Sequence, residues 1–322
     1  MKKIVIALVG ILLFASCAST TTNIILLPDT QTYAEKYPEV LESQINWIVK
    51  EQRNIDFILQ QGDLTQNNNE KEWKVVKDAF DKLRGIKTVV LAAGNHDMGS
   101  ADGKFADVRN TMMFNQFFPP TYFSKQKNFG GTFEEGKSEN IYFLINSGKI
   151  KWLIISLEFG PRNSVIQWAN SIAKKYADRI VILNTHSYMY SDNTRQGIGD
   201  NWRPQSYGVG KDVGENAVND GDQIWDKFVR INPNVRFVFS GHILNQGVGT
   251  LISENNNGAL VYQMLANYQE GVKGSVKGGN GWLRMISIDT KTKKITVKTY
   301  SPFLNEFMTT SAHRFEFNNF KR

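Results

Sequence analysis

Short apolar runs recur along the chain, each closed by a polar, turn-like peptide, and they alternate with segments of helical period. Ile24–Leu27, Phe57–Leu59, Thr88–Leu91, Ile180–Leu183 and Val235–Phe239 are mostly β-branched or aromatic, the composition of strands buried on both faces. Between them, Leu41, Ile45, Ile48 and Val49 fall on one face of a first helix, and Trp73, Val76, Phe80 and Leu83 on one face of a second. A third helix is expected from Pro161 to Tyr176, with the proline where its missing N–H does no harm. A fourth is expected from Asp222 to Arg230, with Ile224, Trp225 and Phe228 inward. This alternation is the pattern of an α/β fold.

Two further runs, Ile141–Asn146 and Trp152–Leu157, have no helix between them and predict an antiparallel pair. Beyond residue 245 the character changes: Leu251–Ser253, Leu260–Leu265, Leu283–Asp289 and Ile295–Tyr300 read as strands. Turns at Asn255–Gly258 and Asp289–Thr292 join them as hairpins. No Pro/Gly/Ser linker separates these strands from the rest, so residues 23–322 are expected to form one domain whose C-terminal strands complete a second sheet. Two loops, Ser187–Asp220 and Asn267–Trp282, exceed what a compact fold needs and are rich in aromatic residues, a mark of functional loops.

The start of the chain follows different rules. Lys2 and Lys3 precede an apolar run from Ile4 to Phe14, and small residues then lead to Cys17, the only cysteine, so residues 1–16 read as an export signal and 17–22 as a short tether. Phe14-Ala15-Ser16-Cys17 resembles a bacterial lipobox, with Phe14 in place of the usual aliphatic residue. That resemblance implies lipidation of Cys17, membrane attachment through it, and a periplasmic or outer-membrane lipoprotein. A lone cysteine excludes a disulfide framework. The formal charge of +7 reflects 38 Lys and Arg against 31 Asp and Glu, and loss of Lys2 and Lys3 leaves +5. This scattered excess suits small anionic substrates and gives no footprint for nucleic acid.

The chemistry-bearing residues fall in one kind of place. Asp29 follows the first strand, Gly62-Asp63 the second, Gly94-Asn95-His96-Asp97 the third, His186 the fourth and Gly241-His242 the fifth. In α/β sheets the carboxyl ends of strands form the ligand-binding edge. Three of the four histidines lie there; His313 is read as a surface or packed residue of a C-terminal strand. Ordered together, these positions point to a metal-centred site.

The motifs Asp29-Thr30-Gln31, Gly62-Asp63, Gly94-Asn95-His96-Asp97, His186 and Gly241-His242-Ile243-Leu244 resemble, in order, those of the calcineurin-like metallophosphoesterases. The resemblance implies a four-layer α/β sandwich, two mixed β-sheets packed face to face and flanked by helices. It further implies that Asp63 bridges two divalent cations, one of which also takes Asn95, His186 and His242. Gln31 and Leu244 stand where the family pattern has histidines, so the other cation would keep Asp29, Gln31 and Asp63, with Asn245 a candidate substitute. An all-oxygen set of this kind favours a hard ion and weaker binding, hence one tight and one weaker ion among Mn, Fe, Zn, Mg or Ca.

By the same resemblance His96 is the proton donor and Asp97 orients its imidazole. The implied reaction is hydrolysis of a small phosphomonoester or phosphodiester, nucleotides included, by water that the cations activate. Arg195 is the candidate for a second acidic group on the substrate, and Tyr188, Tyr190, Trp202 and Tyr268 are candidates for stacking on a base or sugar. Gly278-Gly279-Asn280-Gly281 offers backbone amides to phosphate. A rival reading follows from Leu244: a catalytically degenerate relative whose aromatic-rich loops bind a glycan or a protein.

Overall fold

A computed structural model describes residues 19–321. The expected export signal and Cys17 lie outside the described residues. Among those described, no helix is long and apolar enough to cross a membrane.

In chain order the strands are β1 (Thr21–Leu27), β2 (Phe57–Gln60), β3 (Thr88–Leu91), β4 (Phe129–Thr132), β5 (Ile141–Ser147), β6 (Ile150–Leu157) and β7 (Ile180–Thr185). They continue as β8 (Val235–Ser240), β9 (Val248–Glu254), β10 (Leu260–Ala266), β11 (Leu283–Asp289), β12 (Lys294–Ser301), β13 (Glu306–Met308) and β14 (Arg314–Phe317). One seven-stranded sheet runs β13-β12-β11-β1-β2-β3 with β14 also on β12; the other runs β4-β5-β6-β7-β8-β10-β9. Both are mixed. β1, β2 and β3 are parallel, as are β6, β7, β8 and β10, while β5 and β6 form the antiparallel pair that the sequence predicts.

The sheets meet through aromatic side chains. Trp152 of β6 lies 6.4 Å from the Phe57 ring of β2 and 5.9 Å from Phe237 of β8, and its indole N–H donates to Thr22 of β1 at 3.1 Å. Helices cover the outer faces. Pro38–Lys50 and Glu70–Asp81 bury Val40, Leu41, Ile45 and Ile48 together with Trp73, Val76 and Phe80, and Asn163–Lys175 buries Val165, Ile166, Ala169 and Ile172 on the second sheet. The four-layer sandwich is therefore the observed fold.

Three differences from the sequence reading have physical causes. The domain begins at Thr21, because Thr21 and Thr22 already pair with Asp289 and Ile288. The C-terminal strands divide between the sheets: β9 and β10 extend the second, whereas β11 and β12 cover the otherwise open edge of β1 in the first. The fourth helix is one α turn, Gly221–Ile224, capped reciprocally by Asp220 and Gln223, that widens into a π turn over Trp225–Val229. Between β3 and β4, Phe114, Phe117 and Phe118 pack on Trp73.

Candidate metal centre

Every motif residue named above follows the carboxyl end of a strand, and the two sheets bring those ends to one rim. Asp63, His186 and His242 are buried there, with ligand atoms within 4.8 Å of one another. His186 Nε2 lies 3.1 Å from Asp63 Oδ2, 3.1 Å from Asn95 Oδ1 and 3.1 Å from His242 Nδ1. Backbone carbonyls hold the far ring nitrogens: His186 Nδ1 donates to Gln61 at 2.8 Å and His242 Nε2 donates to Trp202 at 2.7 Å. Each outer bond fixes the ring and turns its other nitrogen toward the shared space, as metal-ligating histidines are held.

The electrostatics of the pocket call for positive charge. Burial would lower the His186 pKa, yet the neighbouring Asp63 carboxylate outweighs it and raises the value to about 9. His242, second in line, falls to about 3 through burial and the charge of His186, which leaves it neutral with a lone pair on Nδ1. Burial alone would raise Asp63, but His186 and His96 hold its carboxyl far below the ordinary range.

Beside this cluster lie two buried oxygens with no partner among the described residues, Asp29 Oδ1 and Gln31 Oε1. Gln31 donates its amide to Asp63 Oδ2 at 3.1 Å, so Asp63 joins the two groups of donors. Burial holds the Asp29 carboxyl well above its usual range, with His186 pulling it down and Asp63 pushing it up. An uncompensated buried oxygen is costly, and two on residues that neighbour the Asp63 carboxylate suit a hard cation. The residues present therefore fit two cation positions: Asp63, Asn95, His186 and His242 for one, and Asp29, Gln31 and Asp63 for the other.

Backbone geometry maintains this packing. Asp29, Asp63 and His242 have φ of 27°, 51° and 73°, in the left-handed region that side chains avoid, a pattern of local strain that clusters at functional sites. Gly94 and Gly241 lie directly beneath Asp63 Oδ1 and Asp29 Oδ1, where an added Cβ would collide with the carboxylates. That contact explains why glycine precedes Asn95 and His242.

A family profile of calcineurin-like phosphoesterases matches residues 22–246. The chain belongs to that family. The protein YvnB of Bacillus subtilis (strain 168), itself uncharacterized, is 30% identical over 289 residues, which is 87% of this chain and 20% of YvnB. The purple acid phosphatase PPD1 of yellow lupin (Lupinus luteus) seeds shares the fold, with a TM-score of 0.54 at 10% identity over 93% of this chain and 54% of the other. The chain thus spans about a fifth of YvnB and about half of the lupin chain.

Within this family domain several expected roles change. His96 is half-buried, with its Nδ1 bonded to the Gln66 carbonyl at 2.7 Å and its ring 3.9 Å from that of Phe105. Asp97 does not orient it. Both Asp97 oxygens are taken by the N–H groups of Leu64, Thr65 and Gly94 and by the Thr65 hydroxyl, so this carboxylate clamps the turn after Asp63 to the turn before Asn95. Burial, and then the charge of Asp63, push its pKa up to about 6 against those backbone donors.

The expected substrate residues are also engaged elsewhere. Arg195 bonds Asp222 through Nε and Ser253 and Gln263 through Nη1, and lies 4.4 Å over the Trp225 ring, so two of its three guanidinium nitrogens are engaged within the protein. Tyr268 is buried against Thr299 and Tyr188 against Gln263. Trp202 serves through its backbone carbonyl rather than its ring. In the glycine-rich stretch, Gly278 and Gly279 pack against Thr32 and Tyr33 and the Gly281 N–H donates to the Tyr33 hydroxyl, so the stretch is a packed turn. Asn245 is exposed and bonds Ser191 at 3.1 Å, and Leu244 lies by Gly271, so neither replaces the missing histidine.

Gln269 lies at the rim instead. It is buried, and its Nε2 donates to Asp29 Oδ2 at 2.9 Å, alongside the His242 N–H at the same distance. Two donors hold Oδ2 and leave Oδ1 the oxygen without a partner among the described residues. Gln269 follows β10 as His242 follows β8, so the strand-end rule points to it, although it lies beyond the family match.

Proposed function

We propose that the chain hydrolyses phosphomonoesters or phosphodiesters at this centre, nucleotides among them. The observation that carries the reading is the convergence of Asp63, Asn95, His186 and His242 on one buried point, with both histidine rings fixed by backbone carbonyls. Divalent cations held there would neutralise the phosphoryl oxygens and acidify water to near neutrality. The mixed nitrogen and oxygen set suits a tightly held ion, and the all-oxygen set around Asp29 and Gln31 a weaker one.

His96 contributes a proton. With Nδ1–H donating to Gln66 and the ring held against Phe105, the imidazolium form carries its second proton on Nε2, the nitrogen free to pass it to the departing ester oxygen. Its own backbone N–H donates to Asp63 Oδ1 at 2.9 Å, which ties the donor to the bridging carboxylate. We further infer from Lys2, Lys3, the apolar run and Cys17 that the protein is exported and anchored by a lipidated cysteine. Fractionation tests this: wild type partitions with membranes, and Cys17→Ser is soluble or unprocessed.

The substrate class is tested by resupplying metal-stripped protein with single ions and screening phosphomonoesters, phosphodiesters and pyrophosphates. Metal-dependent turnover of one ester class supports the reading, and inactivity with every ion favours the degenerate relative.

A further inference from the structure

At the opposite end of the second sheet, a cavity of about 490 Å³ opens where β6, β7 and β8 begin. Lys149, Lys151, Arg179 and Arg236 line it together with Asn234, and Asp178 is the one carboxylate in its wall. Asp178 is paired with Lys151 at 2.9 Å and also feels the charge of Arg179, which leaves Lys149 and Arg236 without an acidic partner among the described residues. The metal ligands follow the far ends of β7 and β8, roughly 20 Å away at the rise of a β-strand.

Arg236 is the decisive residue. It is 5% exposed, and its one hydrogen bond among the described residues is from Nε to the Leu260 carbonyl at 2.6 Å; the Phe320 ring lies 5.6 Å from the guanidinium. A buried cation held by one carbonyl and one ring is under-compensated, since buried charges are ordinarily paired. Its fork suits bidentate contact with phosphate oxygens, and Arg179, bonded to the carbonyls of Ile145 and Trp152, adds a second fixed positive charge.

We propose that this cavity binds a phosphate group, separately from the metal centre. Two sources share that chemistry: free phosphate and the headgroup of an anionic phospholipid. The chain path bears on the second. Thr290 holds the Thr20 carbonyl through its N–H at 2.9 Å, and its hydroxyl also reaches the carbonyl of Gly148, the neighbour of Lys149. Thr20, near the start of the described residues, therefore lies beside this cavity, and the proposed anchor at Cys17, three residues earlier in sequence, would bring the basic end toward the bilayer.

The test uses the full chain carrying Cys17→Ser, with EDTA present so that the metal centre contributes nothing. Inorganic phosphate is titrated calorimetrically, and sedimentation is measured with phosphatidylglycerol-containing vesicles and with pure phosphatidylcholine vesicles. Phosphate binding weakened about tenfold or more by Arg236→Met identifies a free-anion site. Sedimentation with anionic but not neutral vesicles, lost in the same variant, identifies a headgroup site. Lys149→Glu, an exposed change, carries the test if Arg236→Met fails to fold. Absence of both kinds of binding in the unmutated cavity, or binding unaltered by these substitutions, overturns the proposal.

Discussion

Gln269 donates its side-chain amide to Asp29 Oδ2 at 2.9 Å across 240 residues of sequence, and thereby ties a loop beyond the family match to the first strand's metal-capable carboxylate. On the proposed two-cation reading, Gln269 positions Asp29 for the weaker ion. Gln269→Ala is expected to lower affinity at that position by about 10 to 100-fold, the scale of outer partners at metal sites, and to leave the tighter ion in place. Calorimetric titration of Mn2+ resolves the two, and recovery in Gln269→Asn, which keeps the amide donor, separates positioning from loss of fold.

His96 and Asp97 are adjacent but do different work. His96→Ala is expected to reduce turnover by about 10² to 10⁴-fold while metal content stays near that of wild type. Asp97→Ala removes the acceptor for three backbone N–H groups and one hydroxyl, and costs about 3 kcal/mol or more of stability. Thermal melts and metal analysis of the two variants distinguish them. A stable Asp97→Ala protein with full metal content would show that the clamp is dispensable.

Gly94→Ala tests the close approach under Asp63. The new Cβ would collide with the Asp63 carboxylate and backbone, so this small substitution is expected to lower metal content as strongly as a ligand change. Normal metal content in Gly94→Ala would show that the turn yields without moving Asp63.

His313 sets a pH dependence unconnected with the metals. Its Nδ1 is buried without a partner, and burial, with the charge of Arg284, lowers its pKa to about 4. The unfolded chain takes up the proton near pH 6.5 and the folded chain only near 4, so stability from this group is complete above that window and lost as pH falls through it. Melting temperature is expected to drop from pH 6.5 to 4, with a shallower slope in His313→Gln. Equal slopes would exclude this histidine as the cause.

The candidate metal-binding residues are legible in the sequence because each follows a strand end, and two of them, Asp29 and Asp63, sit over a glycine that the close approach requires. The parallel strands were legible for a related reason: Ile24–Leu27 and Ile180–Leu183 are apolar throughout, as burial on both faces demands. Asp97 was misread because its partners, the amides of Leu64 and Thr65, belong to another turn brought near only by the pairing of β2 with β3. In the Asn267–Trp282 loop the aromatic Tyr268 drew notice, yet Tyr268 turns inward and Gln269 outward to the rim. The division of the C-terminal strands between two sheets depends on which edge is open, and no local pattern in Leu283–Asp289 carries that information.

The central claim is that Asp63, Asn95, His186 and His242 hold a cation on which phosphoester hydrolysis depends. Its most direct test measures metal content and hydrolysis of p-nitrophenyl phosphate and bis(p-nitrophenyl) phosphate together, in wild type, Asp63→Asn and His242→Ala, after stripping and after resupply of Mn2+. Wild type is expected to regain metal and activity in parallel, and both variants to bind less metal and lose most activity. Undiminished hydrolysis in the stripped protein, or wild-type activity in Asp63→Asn, would contradict the claim.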